Sequence, residues 1–108
     1  MPMQVLIQQA GPLPIKAVFN APSDQAMYLE VNGSVWSPSD NTLIGISVQV
    51  DRNVLGQAEI FSNGNGTHRS VVPGYFQVQL GEGQHAIVLA NVGGVSDSND
   101  FYTAVLHY

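Results

Sequence analysis

Residues 42–61 read TLIGISVQVDRNVLGQAEIF, and their pattern decides the fold class. Aliphatic side chains recur at every second position from Ile44 through Val50, which is the period of a β-strand with one buried face. A second alternating run follows the tripeptide Asp51-Arg52-Asn53. Asn53 is expected to take the left-handed backbone conformation that a tight connection requires. The segment therefore predicts a β-hairpin.

The remainder of the chain repeats this pattern of short alternating runs separated by Gly, Pro, Asn and Ser. It has no sustained helical period and no internal repeat. Strands are predicted at residues 5–7, 15–19, 27–32, 71–72, 75–80, 84–91 and 100–108, with loops at 33–41, 62–70 and 93–99. This predicts one all-β domain over residues 1–108, an antiparallel jelly-roll β-sandwich of eight or nine strands.

The composition narrows the classes of partner. Charged residues make up 10% of the chain, against about 25% in ordinary soluble proteins, and the formal net charge is −5. The three basic residues, Lys16, Arg52 and Arg69, form no positive stripe, which excludes nucleic acid as the expected partner. The chain has no cysteine, so no disulfide framework, thiolate metal site or cysteine nucleophile is expected.

The N-terminal segment carries no visible targeting signal. Residues 1–9 lack basic side chains, and their apolar run of three residues is too short for a signal peptide or a membrane span. An amide-rich surface with few charges is typical of β-modules outside cells or on virus particles. We therefore expect an extracellular or particle-associated protein that does not span a membrane.

The last predicted strand has no polar face. One side would carry Phe101, Thr103, Val105 and His107, and the other Tyr102, Ala104, Leu106 and Tyr108. Because a solvent-exposed strand normally has one polar side, something should cover both faces. We expect the second set to lie against neighbouring copies in a homotrimer. The alternative is an exposed patch capped by the N-terminal segment.

Two family resemblances agree on this architecture. The run NDFYTAVL at residues 99–106 resembles the final strand of globular C1q-like and tumour-necrosis-factor-like domains, and Tyr75-Phe76 through Leu80, with Gly83 and Leu89, is similar to their penultimate hairpin. This resemblance implies a jelly roll that assembles as a trimer about its terminal strands.

The second resemblance is to jelly-roll carbohydrate-binding modules. Residues 48–56, VQVDRNVLG, resemble one of their hairpins, and a second hairpin is matched by Leu80, Gly83, His85, Ile87 and Leu89. The two resemblances differ in the function that they imply. We expect a non-catalytic, lectin-like module that binds a glycan or cell-surface ligand as a homotrimer. The alternative is a structural trimer, such as a virion decoration or fibre-head module.

Candidate ligand-binding residues lie mainly in the predicted loops. Aromatic rings can stack on the apolar face of a sugar, and imidazole, guanidinium, amide and carboxylate groups can bond its hydroxyls. The candidates are Trp36, Asn65, His68, Arg69, Tyr75, Asp97 and Asn99. Trp36 has an alternative role as a hydrophobic plug at the end of the sandwich.

Neither a cofactor nor a catalytic residue is expected. The run Asp97-Ser98-Asn99-Asp100, with Asp40-Asn41, offers oxygen ligands of the kind that calcium prefers, and calcium-assisted binding is the alternative. The same residue types commonly cap turns with their own side chains, and this structural interpretation is favoured. The chain has no G-x-S-x-G motif and no cluster with the spacing of an active site, so we expect no enzymatic activity.

Overall fold

The computed structural model describes residues 2–108 as nine β-strands without a helix. Met1, which belongs to the predicted domain, lies outside the described residues. The strands are β1 (Met3–Ala10), β2 (Ile15–Ala21), β3 (Met27–Val35), β4 (Thr42–Val50), β5 (Asn53–Ser62), β6 (Arg69–Ser70), β7 (Gly74–Val78), β8 (Gly83–Val92) and β9 (Phe101–His107). The predicted all-β jelly-roll sandwich is confirmed. Nothing in residues 2–108 forms a helix of the length and apolarity needed to cross a membrane.

The strands form two antiparallel sheets. One has four strands in the order β2-β8-β4-β5, and the other has five, with β1-β9-β3 in sequence and both β6 and β7 paired to β3. In the five-stranded sheet, β1 runs beside β9 from Met3 opposite His107 to Ala10 opposite Phe101. The backbone N–H of Tyr108 donates to the carbonyl of Pro2 at 3.1 Å, so the two ends of the described chain lie side by side.

The core lies between the sheets and is made of alternate strand residues. Its largest completely buried apolar side chains are Met27, Leu29, Ile44, Ile46, Ile87, Leu89 and Leu106. Fully burying an aliphatic side chain of this size is worth about 1.5–3 kcal/mol relative to leaving it exposed. The side chains that the period-two pattern of residues 42–50 assigned to the core, Ile44, Ile46, Val48 and Val50, are all buried.

The expected contact of β9 with neighbouring copies is wrong for three of its four residues. Tyr102, Ala104 and Leu106 are 0%, 0% and 1% exposed, and they belong to the core. The reason is that β9 pairs with β1 on one side and β3 on the other, which makes it a central strand. Its outer face carries the other set, of which Phe101 is 50% exposed. The N-terminal strand lies beside β9 and does not cap its face.

The connection between β4 and β5 differs from the sequence-based prediction. Val50 pairs with Asn53, so the turn has two residues, and Asp51 (φ 50°) and Arg52 (φ 70°) take the positive φ values that were expected of Asn53. Two positive φ values in a two-residue hairpin match the right-handed twist of the flanking strands. Further along the hairpin, a bulge opposite Val48 and Gln49 shifts the alternation of β5.

Two strand boundaries were also predicted wrongly. Strand β3 continues through Gly33 to Val35, although Gly33 was expected to begin a loop. A Cβ atom on Gly33 would lie 2.4 Å from the ring of Tyr102, so glycine is needed for close packing at this position. The short edge strand is Arg69–Ser70, and Val71 beyond it is buried in the core.

His85 joins two turns of the molecule. Its Nδ1 faces the Asp51 carboxylate and its Nε2 faces the Gly81 carbonyl. The bond to the Gly81 carbonyl, followed by the bond to Asp51, raises the pKa of His85 above its usual 6.5. The Asp51 carboxylate accepts from the N–H of Ala86 and from His85, and these bonds lower its pKa below 3.8. Both ring nitrogens have acceptors, so the fold favours the imidazolium form.

The His85 bonds predict that stability falls as pH rises above 6.5, the ordinary pKa of histidine, and passes through the raised pKa of His85. Because the pKa of His85 is raised, its contribution is complete below pH 6.5 and is lost as pH rises through the folded value; the contribution of Asp51 is present above pH 3.8. Thermal melts between pH 5 and pH 9 should show a loss of a few degrees. His85→Gln, which cannot titrate, should reduce this dependence and leave the part due to His68, whose pKa is also raised. An unchanged slope would contradict the assignment.

Candidate functional site

Asp100 organises the loops at one end of the sandwich. It is 1% exposed and immediately precedes β9. Its Oδ1 accepts from Ser34 Oγ and lies 2.7 Å from His68 Nδ1, while its Oδ2 accepts from the N–H of Asp97 at 2.9 Å. A buried carboxylate is costly unless it is hydrogen-bonded, and these three donors meet that requirement. They bring β3, the β5–β6 loop and the β8–β9 loop together.

His68 is the exposed member of this arrangement. Because Nδ1 faces the Asp100 carboxylate, Nδ1 carries the proton and Nε2 points away from Asp100. Nε2 lies 3.8 Å from Asp97 Oδ2. The hydrogen bond to Asp100, followed by the charges of Asp100 and Asp97, raises the pKa of His68 above 6.5. His68 is therefore an oriented imidazole held close to two carboxylates.

Trp36 packs beside this imidazole. The two ring centroids are 5.8 Å apart and the ring planes are inclined at 37°. The backbone of Trp36 exchanges two hydrogen bonds with Val95, and its side chain is half-buried. The indole N–H is buried without a hydrogen-bond partner among the described residues, as is the hydroxyl of Tyr102. Burial raises the pKa of that hydroxyl to about 12. Trp36 thus contributes to the end of the sandwich as well as to its surface.

A concavity of about 230 Å³ lies next to these loops on the outer face of the five-stranded sheet. Phe101, which follows Asp100, forms one wall and is 50% exposed. The concavity is lined by Asn32, Gly33, Ser34, Ser70, Phe101 and Thr103, and we call this set the Phe101 surface. Four of its side chains carry an amide or a hydroxyl group. Ser34 links the surface to the buried carboxylate.

The structure brings together most of the predicted site residues. Asn99 donates its N–H to Asp97 Oδ1, and Asn65 donates its N–H to Asp40 Oδ1, so both lie in ordered loops. Arg69 pairs with Val35 at the start of β6, next to His68. Tyr75 lies apart, on β7 opposite Glu30, which is five residues along β3 from Val35 and thus roughly 17 Å away.

Sequence reasoning missed the residues of the Phe101 surface. Phe101 was grouped with Thr103 and Val105 on the side of the last strand opposite to the one assigned to neighbouring copies, and it was not recognised as a binding residue. The available signal was an aromatic residue directly after an Asp/Ser/Asn loop, on a strand whose two faces both carry apolar residues. The central role of Asp100 had no such signal, because its partners Ser34 and His68 are 66 and 32 residues distant in the chain.

The cluster fits a hydrogen-bonded network better than a calcium site. Among the residues that the structure describes, the group able to hold an ion is His68, Asp97 and Asp100, with ligand atoms within 4.8 Å of one another. Calcium takes six to eight oxygen ligands, and an imidazole is not one of them. Both oxygens of Asp100 already accept hydrogen bonds. Asp40, the other acidic residue of the calcium alternative, is not in the group.

The pKa of His68 provides a direct test of this network. Asp100→Asn removes the charge that His68 faces and should bring the pKa of His68 down towards 6.5, because this carboxylate is the main cause of the upward shift. Asp97→Asn should lower the pKa less, since its carboxylate is 3.8 Å from Nε2. NMR titration of the ring protons measures both values. A larger effect of the Asp97 variant would contradict the assignment.

Comparison with known proteins relates the fold of the chain to that of sugar-binding modules. Neither a family model nor a curated protein sequence matches the chain. Among solved structures, it is similar to a cycloisomaltooligosaccharide glucanotransferase from Paenibacillus sp. complexed with cycloisomaltoheptaose (TM-score 0.51, 18% identity, 91% of this chain and 13% of that one). It is also similar to the EclA C-terminal domain, a sugar-binding protein (TM-score 0.50, 12% identity, 89% and 65%).

A third similar structure is matched over nearly its whole length. This is the CBM36-1 domain of a multidomain xylanase from the hindgut metagenome of Trinervitermes trinervoides (TM-score 0.50, 8% identity, 99% of this chain and 98% of that one). The chain thus spans less than two thirds of the first two structures and almost all of the third. At these identities the comparisons support the resemblance to jelly-roll carbohydrate-binding modules at the level of the fold. The resemblance to C1q-like and tumour-necrosis-factor-like domains stays a prediction.

Proposed function

We propose that residues 1–108 form one non-catalytic module that binds a carbohydrate through the Phe101 surface and the adjoining loops. The observation that carries this proposal is a half-exposed aromatic ring beside a concavity lined by hydroxyl and amide groups. A sugar ring presents an apolar C–H face and a rim of hydroxyls. The Phe101 ring suits the former, and the neighbouring polar side chains suit the latter.

The polar part of the surface has a fixed geometry. Ser34 Oγ donates to Asp100, so its lone pairs are left to accept from a ligand hydroxyl. His68 and Asp97 stand beside it, held by Asp100 and by the loop backbone. Side chains that are already ordered lose less conformational entropy when a ligand binds. The loop cluster thus supplies oriented hydrogen-bonding groups at the edge of the aromatic wall.

The remaining predicted residues have different places in this proposal. Asn65 and Asn99 lie in the loops beside the site, Trp36 directly follows β3, and Arg69 begins β6. Tyr75 is another exposed aromatic residue on the same sheet. The occurrence of the same fold in an EclA domain described as a sugar-binding protein is consistent with this function.

Replacing Phe101 should remove carbohydrate binding and leave the fold intact. Because the ring is half-exposed, Phe101→Ala should change the melting temperature little while reducing binding on a glycan array at least about tenfold. Phe61→Ala is the matched control, since Phe61 is 49% exposed on the other sheet. Because the loop cluster fits a hydrogen-bonded network better than a calcium site, binding should also persist when EDTA is added.

Two results would contradict this proposal. Loss of binding in Tyr75→Ala with retention in Phe101→Ala would move the site to β7. A large fall in the melting temperature of Phe101→Ala would make this ring a structural element.

The second candidate function is structural assembly as a homotrimer. The observation favouring it is the apolar part of the outer face of the five-stranded sheet, where Met3, Val5 and Phe101 are 61%, 49% and 50% exposed and Val5 pairs with Val105. Burial of such a patch between copies would be favourable. A contact that included Phe101 would cover the Phe101 surface, so the two functions would then compete for the same face.

Light scattering separates the two functions. A trimer formed through this face should have three times the monomer mass of 11.6 kDa, and Val5→Glu should dissociate it by placing a charge at a desolvated position. Val18→Glu is the control, because Val18 is 65% exposed on the opposite sheet. A monomeric natural chain at micromolar concentration would rule out the structural function.

A further inference from the structure

A second, larger concavity lies on the outer face of the four-stranded sheet, away from the Phe101 surface. Its volume is about 520 Å³, and it is lined by Lys16, Gln49, Asp51, Arg52, Ala86 and Val88, which we call the Lys16 groove. Lys16, Val88 and Gln49 are directly aligned across β2, β8 and β4. The two-residue turn after β4 places Arg52 at one end.

The groove concentrates positive charge in an acidic protein. Lys16 and Arg52 are two of the three basic residues in a chain with a net charge of −5. In the part of the chain that the structure describes, neither side chain forms a salt bridge. Both side chains are exposed, so their charges are available to a ligand. Lys16 and the end of β4 are separated by two strand spacings, roughly 10 Å across the sheet.

Both carboxylate oxygens of Asp51, the acidic residue in the groove, already have hydrogen-bonding partners. Asp51 Oδ1 accepts from the N–H of Ala86 at 3.0 Å, and Oδ2 faces His85. Asp51 therefore positions the turn that carries Arg52 and does not pair with either basic side chain. The local balance is positive, in contrast to the protein as a whole.

The floor of the groove is small and uncharged. The short side chains of Ala86 and Val88 project little from the sheet, which leaves room for a ligand above them. The Gln49 amide supplies both a hydrogen-bond donor and an acceptor. The backbone of β8 and β4 is paired within the sheet, so it cannot extend main-chain hydrogen bonds to a peptide. An extended ligand would be held by its charged groups, its hydroxyls and its apolar C–H surface.

We propose that the Lys16 groove binds an acidic polysaccharide whose carboxylates pair with Lys16 and Arg52. Arg52 suits a planar carboxylate through paired N–H donors, and Lys16 acts as a second point charge. Gln49 bonds a sugar hydroxyl between them. This site goes beyond the proposed function because it lies on the opposite sheet. It selects ligands by their negative charge, whereas the Phe101 surface binds a sugar through contact with an aromatic ring.

The test uses oligogalacturonate and its fully methyl-esterified form, which share a backbone and differ in charge. Isothermal titration at low salt should show binding of the acidic form and at least about tenfold weaker binding of the ester. Lys16→Gln and Arg52→Gln should each weaken binding of the acidic form roughly tenfold. Gln77→Glu makes the same change in net charge on the other sheet and should have little effect.

Several outcomes would overturn the proposal. Equal binding of the ester, an equal loss in Gln77→Glu, or equally tight binding of poly-glutamate would each show that the groove does not select an acidic polysaccharide. Loss of oligogalacturonate binding in Phe101→Ala, with retention in the Lys16 and Arg52 variants, would assign that ligand to the other surface. If Phe101→Ala loses binding of a neutral glycan while the Lys16 and Arg52 variants keep it, the molecule has two separate sites. Thermal melts of each variant establish that its fold is intact.

Discussion

The buried carboxylate of Asp100 is the constraint on which one end of this molecule depends. A carboxylate with 1% exposure loses favourable hydration free energy, and hydrogen bonds to protein donors must replace it. Its partners come from β3, the β5–β6 loop and the β8–β9 loop, which are otherwise distant in sequence. Satisfying one carboxylate therefore fixes three segments at once. The same bonds orient His68 and leave Phe101, the next residue, at the surface.

Histidine side chains are the partners of three carboxylates in this chain. Each of the three histidines lies beside a carboxylate: His68 beside Asp100, His85 beside Asp51 and His107 beside Glu30. Lys16 and Arg52 form no salt bridge with any residue that the structure describes, and both lie on one surface. The imidazole groups, whose charge depends on pH, thus lie beside carboxylates, and the permanent charges of Lys16 and Arg52 are exposed. A protein with 10% charged residues can in this way present one positive groove despite its acidic composition.

Local periodicity was enough to predict the fold class, because each sheet buries one face and alternation survives in most strands. Ile44, Ile46 and Val48 show this directly. The pattern failed at β9, where apolar residues on both faces were taken as evidence for neighbouring copies. The strand's central position, which sequence does not reveal, places Tyr102 in the core. The candidate loops were predicted from composition, but Asp100 depends on contacts across 32 and 66 residues, which no local pattern contains.

The pairing of β1 with β9 has a consequence for how the module could be joined to other proteins. Pro2 and Tyr108 are linked by a backbone hydrogen bond at the end of this strand pair opposite to Phe101. Six residues of β9 separate that end from the Phe101 surface, a distance of roughly 20 Å. A tether attached at either end would therefore begin at the end of the strand pair opposite to the ring. The same adjacency suits the chain to insertion into a loop of a host protein, and to circular permutation through a short peptide that joins its ends.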